Sequence, residues 1–370
     1  MHLRAFFLPL AFAALAAAAD SLSNVLKANS DTLSTLSSLM AMDPSLGQKL
    51  ASSTDITLLA PSNEAFAKMM KSDPVFAQNA NNATFVSSLL RYHVVVGKTT
   101  SSMFPVKPKH ASTWLETPTT NVTGAQKVAL TEKGDAVVVF SGYKQQSTIT
   151  RPDVPFAGGV LHVIDSVLTL PATPAETAMN MGLTSMAGAL VKVGLVDGVD
   201  SLQAATVFAP TNEAFQAIGA TASSMSQQDL ANIMQYHILA NQVRLSSAVT
   251  SKMGFKSMMG EKVTLRKEVG TVFANSAKIT VADVITSDGV MHVIDNVLNP
   301  ASPKLAPIRN AAPSNPAFTN AVASDNPPFT EGVRPTANFT PAASLASRKM
   351  NISLGAAVLG FLGCAAVVVL

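Results

Sequence analysis

From residue 57 the chain reads TLLAPSNEAFAKM: a short apolar run, a proline, a polar turn, then apolar positions spaced three and four apart. Proline can donate no sheet hydrogen bond, so a strand over TLLA is expected to end there. The pattern predicts that a helix follows. Ser62 caps its free amides, Glu64 sits at its positive end, and Phe66 and Met69 share one face. At 206 the pattern returns as TVFAPTNEAFQAI, with seven of thirteen positions identical. Thr211, Glu213, Phe215 and Ile218 take the corresponding places.

Two further stretches repeat in the same order. LLRYHVVV at 89–96 is echoed by IMQYHILA at 233–240, and GGVLHVIDSVL at 158–168 by DGVMHVIDNVL at 288–298. The β-branched content of the last pair predicts a strand. Period two puts Val160, His162 and Ile164 on one face, and Val290, His292 and Ile294 likewise. A histidine between two aliphatics reads as a satisfied core group rather than a ligand. Asp165 and Asp295 face the other way, placed to accept backbone amides at the strand end. The Tyr-His stretch ends an amphipathic segment in each copy, and Tyr92 and Tyr236 offer an apolar body with a polar tip, which favours a structural role.

The offset between copies falls from 149 to 144 to 130 residues, so the first copy carries insertions. A period this long exceeds the roughly 20–50 residues of a solenoid unit and suits two tandem domains, at 20–171 and 172–300. The join TLPATPAET has two nearby prolines, and it is expected to be stiff enough to hold the domains in a preferred orientation.

Outside the repeats the pattern changes. Residues 1–19 carry His2 and Arg4, an apolar run and small residues, the layout of a secretory signal peptide. Residues 301–344 are rich in Pro, Ala, Ser and Asn without an apolar period, which predicts an extended stalk. The last segment, 345–370, ends in an uncharged apolar run. With Ala342, Ala343 and Ser344 upstream and a polar spacer between, it has the layout of a glycosylphosphatidylinositol (GPI) attachment signal, an ordinary membrane span being the alternative. The expected address is the outer face of the plasma membrane or the cell wall.

Composition narrows the partners. A net charge of +3 over 370 residues, with no basic run, argues against nucleic acid. The single cysteine, Cys364, lies in the apolar end segment, so the domains rely on packed cores rather than disulfides. Asn82, Asn121 and Asn338 have the N-glycosylation acceptor pattern outside the end segments, and Asn351 has it within the last one.

Two copies of T-x-x-A-P-[ST]-N-E-A-F, then Tyr-His, then G-V-x-H-V-I-D-x-V-L resemble two fasciclin-type (FAS1) domains, over roughly residues 20–300. With its two end segments the chain is similar to GPI-anchored fasciclin-like surface glycoproteins, of fungal rather than plant type. The resemblance implies an α+β fold, a β-strand wedge packed with several helices in each domain, and a role in adhesion. In animal members adhesion is attributed to the Tyr-His region and to an Asp-Ile pair before the last strand. These map onto Tyr92, His93, Tyr236 and His237, and onto Asp153 with Val154 and Asp283 with Val284. Pro155 and Ile285 follow those pairs, a departure from the animal pattern. The implied partner is a surface, wall or matrix protein or glycan, or a second copy of the chain, with the membrane reached through a lipid anchor.

No cofactor or metal is expected. The chain has no Gly-x-Ser-x-Gly, no His-Glu-x-x-His and no glycine-rich phosphate loop. Of six histidines, His2 precedes the domains and four are repeat-equivalent, which leaves His110 alone. An enzyme is therefore disfavoured. The sixteen methionines leave room for a second reading, an extracellular carrier of a lipid or other apolar ligand.

Overall fold

The computed structural model describes residues 20–116, 122, 124–303 and 316–335. The first domain opens with helices α1 (Leu22–Ala28), α2 (Ser30–Met40) and α3 (Pro44–Ser52), followed by strand β1 (Ile56–Pro61). Next come α4 (Asn63–Ser72), α5 (Pro74–Asn79), α6 (Ala83–Tyr92) and β2 (Val94–Val96). The strands β3 (Lys109–Ser112), β4 (Lys127–Lys133), β5 (Ala136–Phe140), β6 (Gln146–Phe156) and β7 (Gly159–Ile164) complete it.

The second domain repeats this order: α7 (Pro174–Asn180), α8 (Thr184–Lys192), α9 (Val196–Asp200), β8 (Ala205–Pro210), α10 (Asn212–Gln216), α11 (Gly219–Ser223), α12 (Gln227–Tyr236) and β9 (Ile238–Leu239). Its remaining strands are β10 (Met253–Lys256), β11 (Lys262–Glu268), β12 (Thr271–Ala274), β13 (Ala277–Thr286) and β14 (Gly289–Ile294). Each domain is thus α+β with a seven-stranded sheet, in the orders β2-β1-β7-β6-β5-β4-β3 and β9-β8-β14-β13-β12-β11-β10.

The repeated sequence boxes are the centre of each sheet. β1 lies parallel to β7, with Leu59 opposite His162, and β8 lies parallel to β14, with Phe208 opposite His292. All six positions of each of these four strands are buried, which fits their continuous β-branched and aliphatic character. Ser62 and Thr211 cap α4 and α10 by accepting the amides of Ala65 and Ala214. Asp165 and Asp295 accept the amides of Thr148 and Lys278, closing the end of each last strand. Gly159 is required by close approach, since a Cβ there would stand 1.8 Å from the carbonyl oxygen of Ile56.

Among the described residues the first domain has a small cluster of Ala129, Val138 and Phe140, and each domain has two main cores. One lies between the sheet and the helices, with Leu33, Leu36, Phe66, Phe76 and Leu89 in the first domain. The other, with Leu59, Tyr92, Val128, Val139 and Ile164, lies inside the fold of the sheet itself. The long β6 joins both halves. It pairs with β5 over Gln146–Thr148 and with β7 beyond, through two bulges between Ile149 and Val154. β13 does the same, with bulges between Ile279 and Val284.

The stalk expected over 301–344 is corrected by residues 316–335, which fold back as a strap onto the second domain. Val322 N–H donates to Thr221 Oγ1, its carbonyl accepts from Ala220, and Ser324 N–H donates to the Gln216 carbonyl. Phe329 meets Phe215 edge-on at 6.1 Å between ring centroids, and Lys192 lies over its ring at 4.9 Å. In the first domain Phe66 has its partner within the repeat, Phe76, at 6.3 Å. The shorter α11 brings no aromatic residue, and the strap supplies one. Composition missed this because a few anchoring side chains, Phe318, Phe329 and Val333, are spaced with no helical or strand period.

Candidate functional site

The Tyr-His residues lie deep inside. Tyr92 and Tyr236 are fully buried, and their hydroxyls donate to the carbonyls of Lys127 and Lys262. Burial raises both phenols above their ordinary range. His93 Nδ1–H donates to the Leu89 carbonyl at 2.7 Å, and its Nε2 accepts from the amide of Leu168 at 2.9 Å. His237 repeats this between Ile233 and Leu298, at 2.8 and 2.9 Å. Each imidazole therefore ties the end of a helix to the segment after the last strand. Burial holds both at about 4, as neutral rings with both nitrogens occupied. None of the four side chains reaches the surface.

The Asp-Val pair sits where β6 and β13 bulge. Asp153 and Asp283 adopt φ of 58° and 57°, a left-handed conformation that aspartate tolerates better than most residues. Asp153 accepts the amide of Ser101 at 2.8 Å and also its hydroxyl, closing the 3-10 turn Ser101–Met103. The Asp153 N–H donates to His162 Nδ1 at 3.1 Å, and His162 Nε2–H donates to the Thr99 carbonyl at 2.8 Å. Asp283, Ser246, His292 and Arg244 repeat the arrangement.

The serine, histidine and aspartate in each copy do not form a nucleophile relay. The serine hydroxyl is spent on the carboxylate, and neither ring nitrogen faces it, so no base stands ready to take its proton. Among the described residues no group of three or more His, Cys, Asp or Glu is arranged to hold a metal. The 4.0 Å approach of each histidine to its aspartate is not an ion pair at neutral pH, because burial lowers the proton affinity of His162 and His292; the rings take up charge only in acid, where the aspartates titrate.

The two copies differ in access. The Asp153 side chain is 39% exposed, whereas that of Asp283 is 8% exposed. The turn joining β5 to β6 runs from Ser141 to Gln145, against only Asn275 and Ser276 between β12 and β13. This longer turn reaches into the second domain. Lys144 Nζ donates to the Asp283 carbonyl at 3.1 Å, and Gln126 Nε2 donates to the Thr286 carbonyl at 2.9 Å. Burial pushes Asp283 upward, but His292, His110, Lys144 and the Ser246 hydroxyl outweigh it and hold the carboxyl below its ordinary range. At Asp153 burial again acts upward, and the two Ser101 bonds with His162 prevail. Val284 is fully buried and Val154 half-buried.

Sequence reading missed Lys144, Gln126 and His110 as interface residues. His110 is half-buried, and its two buried ring nitrogens have no hydrogen-bond partner among the described residues. The available signal was the extra length in the first copy between the Tyr-His and Val-Ile-Asp boxes.

Around Asp153 the surface is open. Ser102, Pro152 and Pro155 are exposed, and the loop capped by Asp153 carries Met103 and Val106, 58% and 70% exposed. Asn82 is exposed as well, and its Oδ1 caps α6 by accepting the amides of Thr84 and Phe85. A glycan on Nδ2 leaves that cap in place. Residues 1–19, Asn121, Asn338, Ala342, Ala343, Ser344 and 345–370 lie outside the described residues.

Comparison with known proteins agrees with this geometry. The fasciclin domain model matches residues 31–171 and again 181–300. A fasciclin-like arabinogalactan protein of Arthroderma benhamiae is 32% identical over 85% of this chain and 75% of its own length. A second protein of that description, from Phaeosphaeria nodorum, is 32% identical over 76% of this chain and 88% of its own. The transforming growth factor-beta-induced protein ig-h3 of Sus scrofa is 27% identical over 70% of this chain and 35% of its own. Among solved structures, a FAS1 domain pair from the insect cell adhesion molecule fasciclin I matches 72% of this chain and 96% of its own, with 18% identity and a TM-score of 0.35. The chain belongs to the fasciclin domain family, of which it carries two copies.

Proposed function

We propose that the chain is an adhesion protein of the cell surface or wall and that it works through the Asp153 face of its first domain. The observation that carries this reading is the asymmetry between two otherwise equivalent turns. The Asp153 turn faces solvent with exposed Met103 and Val106 beside it, while the Asp283 turn is closed by Lys144 and Gln126 of the other domain. A contact surface needs exposed apolar area rimmed by polar groups, and only the first copy provides it.

In this account the Tyr-His residues and Asp283 have structural work, and the adhesive candidates reduce to Asp153 and its surroundings. The partner is a wall or matrix protein, a glycan, or another copy of the chain. Display is through a lipid anchor at Ala342, Ala343 or Ser344. With the strap docked, the tether then starts after Pro335, and nine residues reach at most about 30 Å. The domain pair is held close to the membrane.

The experiment is binding of the purified protein to isolated wall material, beside Asp153→Asn. Asparagine tolerates the same backbone and keeps an oxygen for the Ser101 amide, so the fold persists while the charge is lost. Unchanged binding by a variant of unchanged melting temperature would remove Asp153 from the contact. Release of the protein from cells by a phosphatidylinositol-specific phospholipase tests the anchor separately, and retention after confirmed enzyme action argues for a spanning helix.

A further inference from the structure

Where the first domain, the connecting segment and the first helix of the second domain meet, they leave a cleft of about 220 Å³. One wall is apolar, formed by Met69, Phe85, Leu89 and Leu170. The lining also includes the polar and acidic side chains of Asp73, Tyr143, Glu176 and Asn180. Among the described residues, no lysine, arginine or histidine lines it.

The Glu176 carboxylate is poorly compensated. It is half-buried, and its Oε1 receives only long bonds of 3.4 Å, one from the Tyr143 hydroxyl and one from the Asn180 amide. Burial raises its proton affinity, and the charge of Asp200 adds to that. A carboxylate beside a cavity whose described lining holds a second acid, Asp73, and no cation gains most from a ligand that brings a positive charge. The apolar wall requires that ligand to have a hydrophobic body. The volume lies below the roughly 300–1,000 Å³ of sites for drug-sized molecules, which limits the body to about one ring.

We propose that this interdomain cleft binds a small primary amine bearing a single apolar ring, with its ammonium on Glu176 and its ring against Phe85, Leu89 and Leu170. Such a ligand touches α4 and α6 of the first domain, the linker, and α7 of the second. It therefore bridges the two domains and stiffens their junction. The site is independent of the Asp153 face, so adhesion and amine binding stand or fall separately.

Isothermal titration of the full chain with 2-phenylethylamine tests the site, with 2-phenylethanol as the neutral counterpart of the same shape. The expected result is that the amine binds at least about tenfold more tightly than the alcohol. Glu176→Gln should abolish that preference. Val75→Arg, at a 52% exposed position on the rim, should abolish amine binding by placing a cation at the mouth without touching either core. Absence of amine binding at millimolar concentration overturns the proposal. Equal affinity for amine and alcohol, or amine binding unchanged in both folded variants, overturns it as well.

Discussion

A methyl group at Gly188 should weaken the second domain, although alanine is the better helix former. At an exposed helix position, glycine to alanine gains about 0.5–1 kcal/mol. Gly47 in α3 is such a position, with nothing within 4 Å of a Cβ built there. At Gly188 in α8 the same Cβ would lie 1.6 Å from the Phe329 carbonyl oxygen and 3.1 Å from a methyl of Val333. The strap must move by more than an atomic radius. Its partly buried Phe318, Phe329 and Val333 then lose contact with the core they pack against.

Half of the burial term for three such side chains is about 2–4 kcal/mol. The edge-on pair of Phe329 with Phe215 adds about 0.5–1.5 kcal/mol. Freed chain entropy and the helix gain oppose these, so a net loss of about 1–3 kcal/mol is expected. Urea unfolding reads it out, because the single tryptophan, Trp114, reports on the first domain alone, whereas far-ultraviolet circular dichroism reports on both. Gly188→Ala should lower the dichroism midpoint and leave the Trp114 transition nearly in place, while Gly47→Ala raises the latter. A Gly188→Ala protein stabilised like Gly47→Ala refutes the strap as a packed element.

Other consequences follow from the interface and the buried histidines. Lys144→Met keeps the aliphatic stem but removes the charged bond to the Asp283 carbonyl, which contributes about 1.5–3 kcal/mol. Calorimetry should show the two domains melting further apart than in the parent, and identical traces would contradict the role of Lys144. His93, His110 and His237 are each held near 4 by burial, against 6.5 for the free group. Below pH 6.5 the unfolded chain takes up protons that the folded chain refuses, so stability present above pH 6.5 is lost as pH falls toward 4. Each histidine contributes up to about 1.4 kcal/mol per pH unit. Asp288, pushed up to about 7 by burial, opposes this by one proton over the same range. Denaturant midpoints between pH 7 and 4.5 should still fall, and a flat profile would show that the rings are hydrated. Asp288→Asn should stabilise the protein by about 1–3 kcal/mol at pH 8, since the buried carboxylate is then replaced by a neutral group, with thermal melts at pH 5 and 8 as the check.

What could be read in the sequence was local. Ser62 and Thr211 as caps, Asp165 and Asp295 as strand closures, and His162 and His292 as inward-facing groups all follow from spacing within ten residues. The repeat supplied the two domains, and the boxes supplied the central strands. The surface chemistry was harder to see because it depends on distant contacts. Asp153 and Asp283 each precede a valine and take the same backbone turn, and a loop residue 139 positions away in sequence separates an open site from a closed one. The strap failed for a related reason. Phe329 acquires meaning only beside Gly188 and Phe215, and proline-rich composition says nothing about such an encounter.

Binding to intact cells and isolated wall material should be compared for three proteins: the parent, a Met103→Glu and Val106→Glu double variant of the open face, and a Val269→Glu control. Val269 is 94% exposed on the second domain, in the turn between β11 and β12. All three substituted positions face solvent, so folding should be unaffected and melting temperatures should agree. Adhesion through the Asp153 face requires the double variant to lose binding while the control keeps it. If the double variant binds as the parent does, the contact lies elsewhere on the molecule.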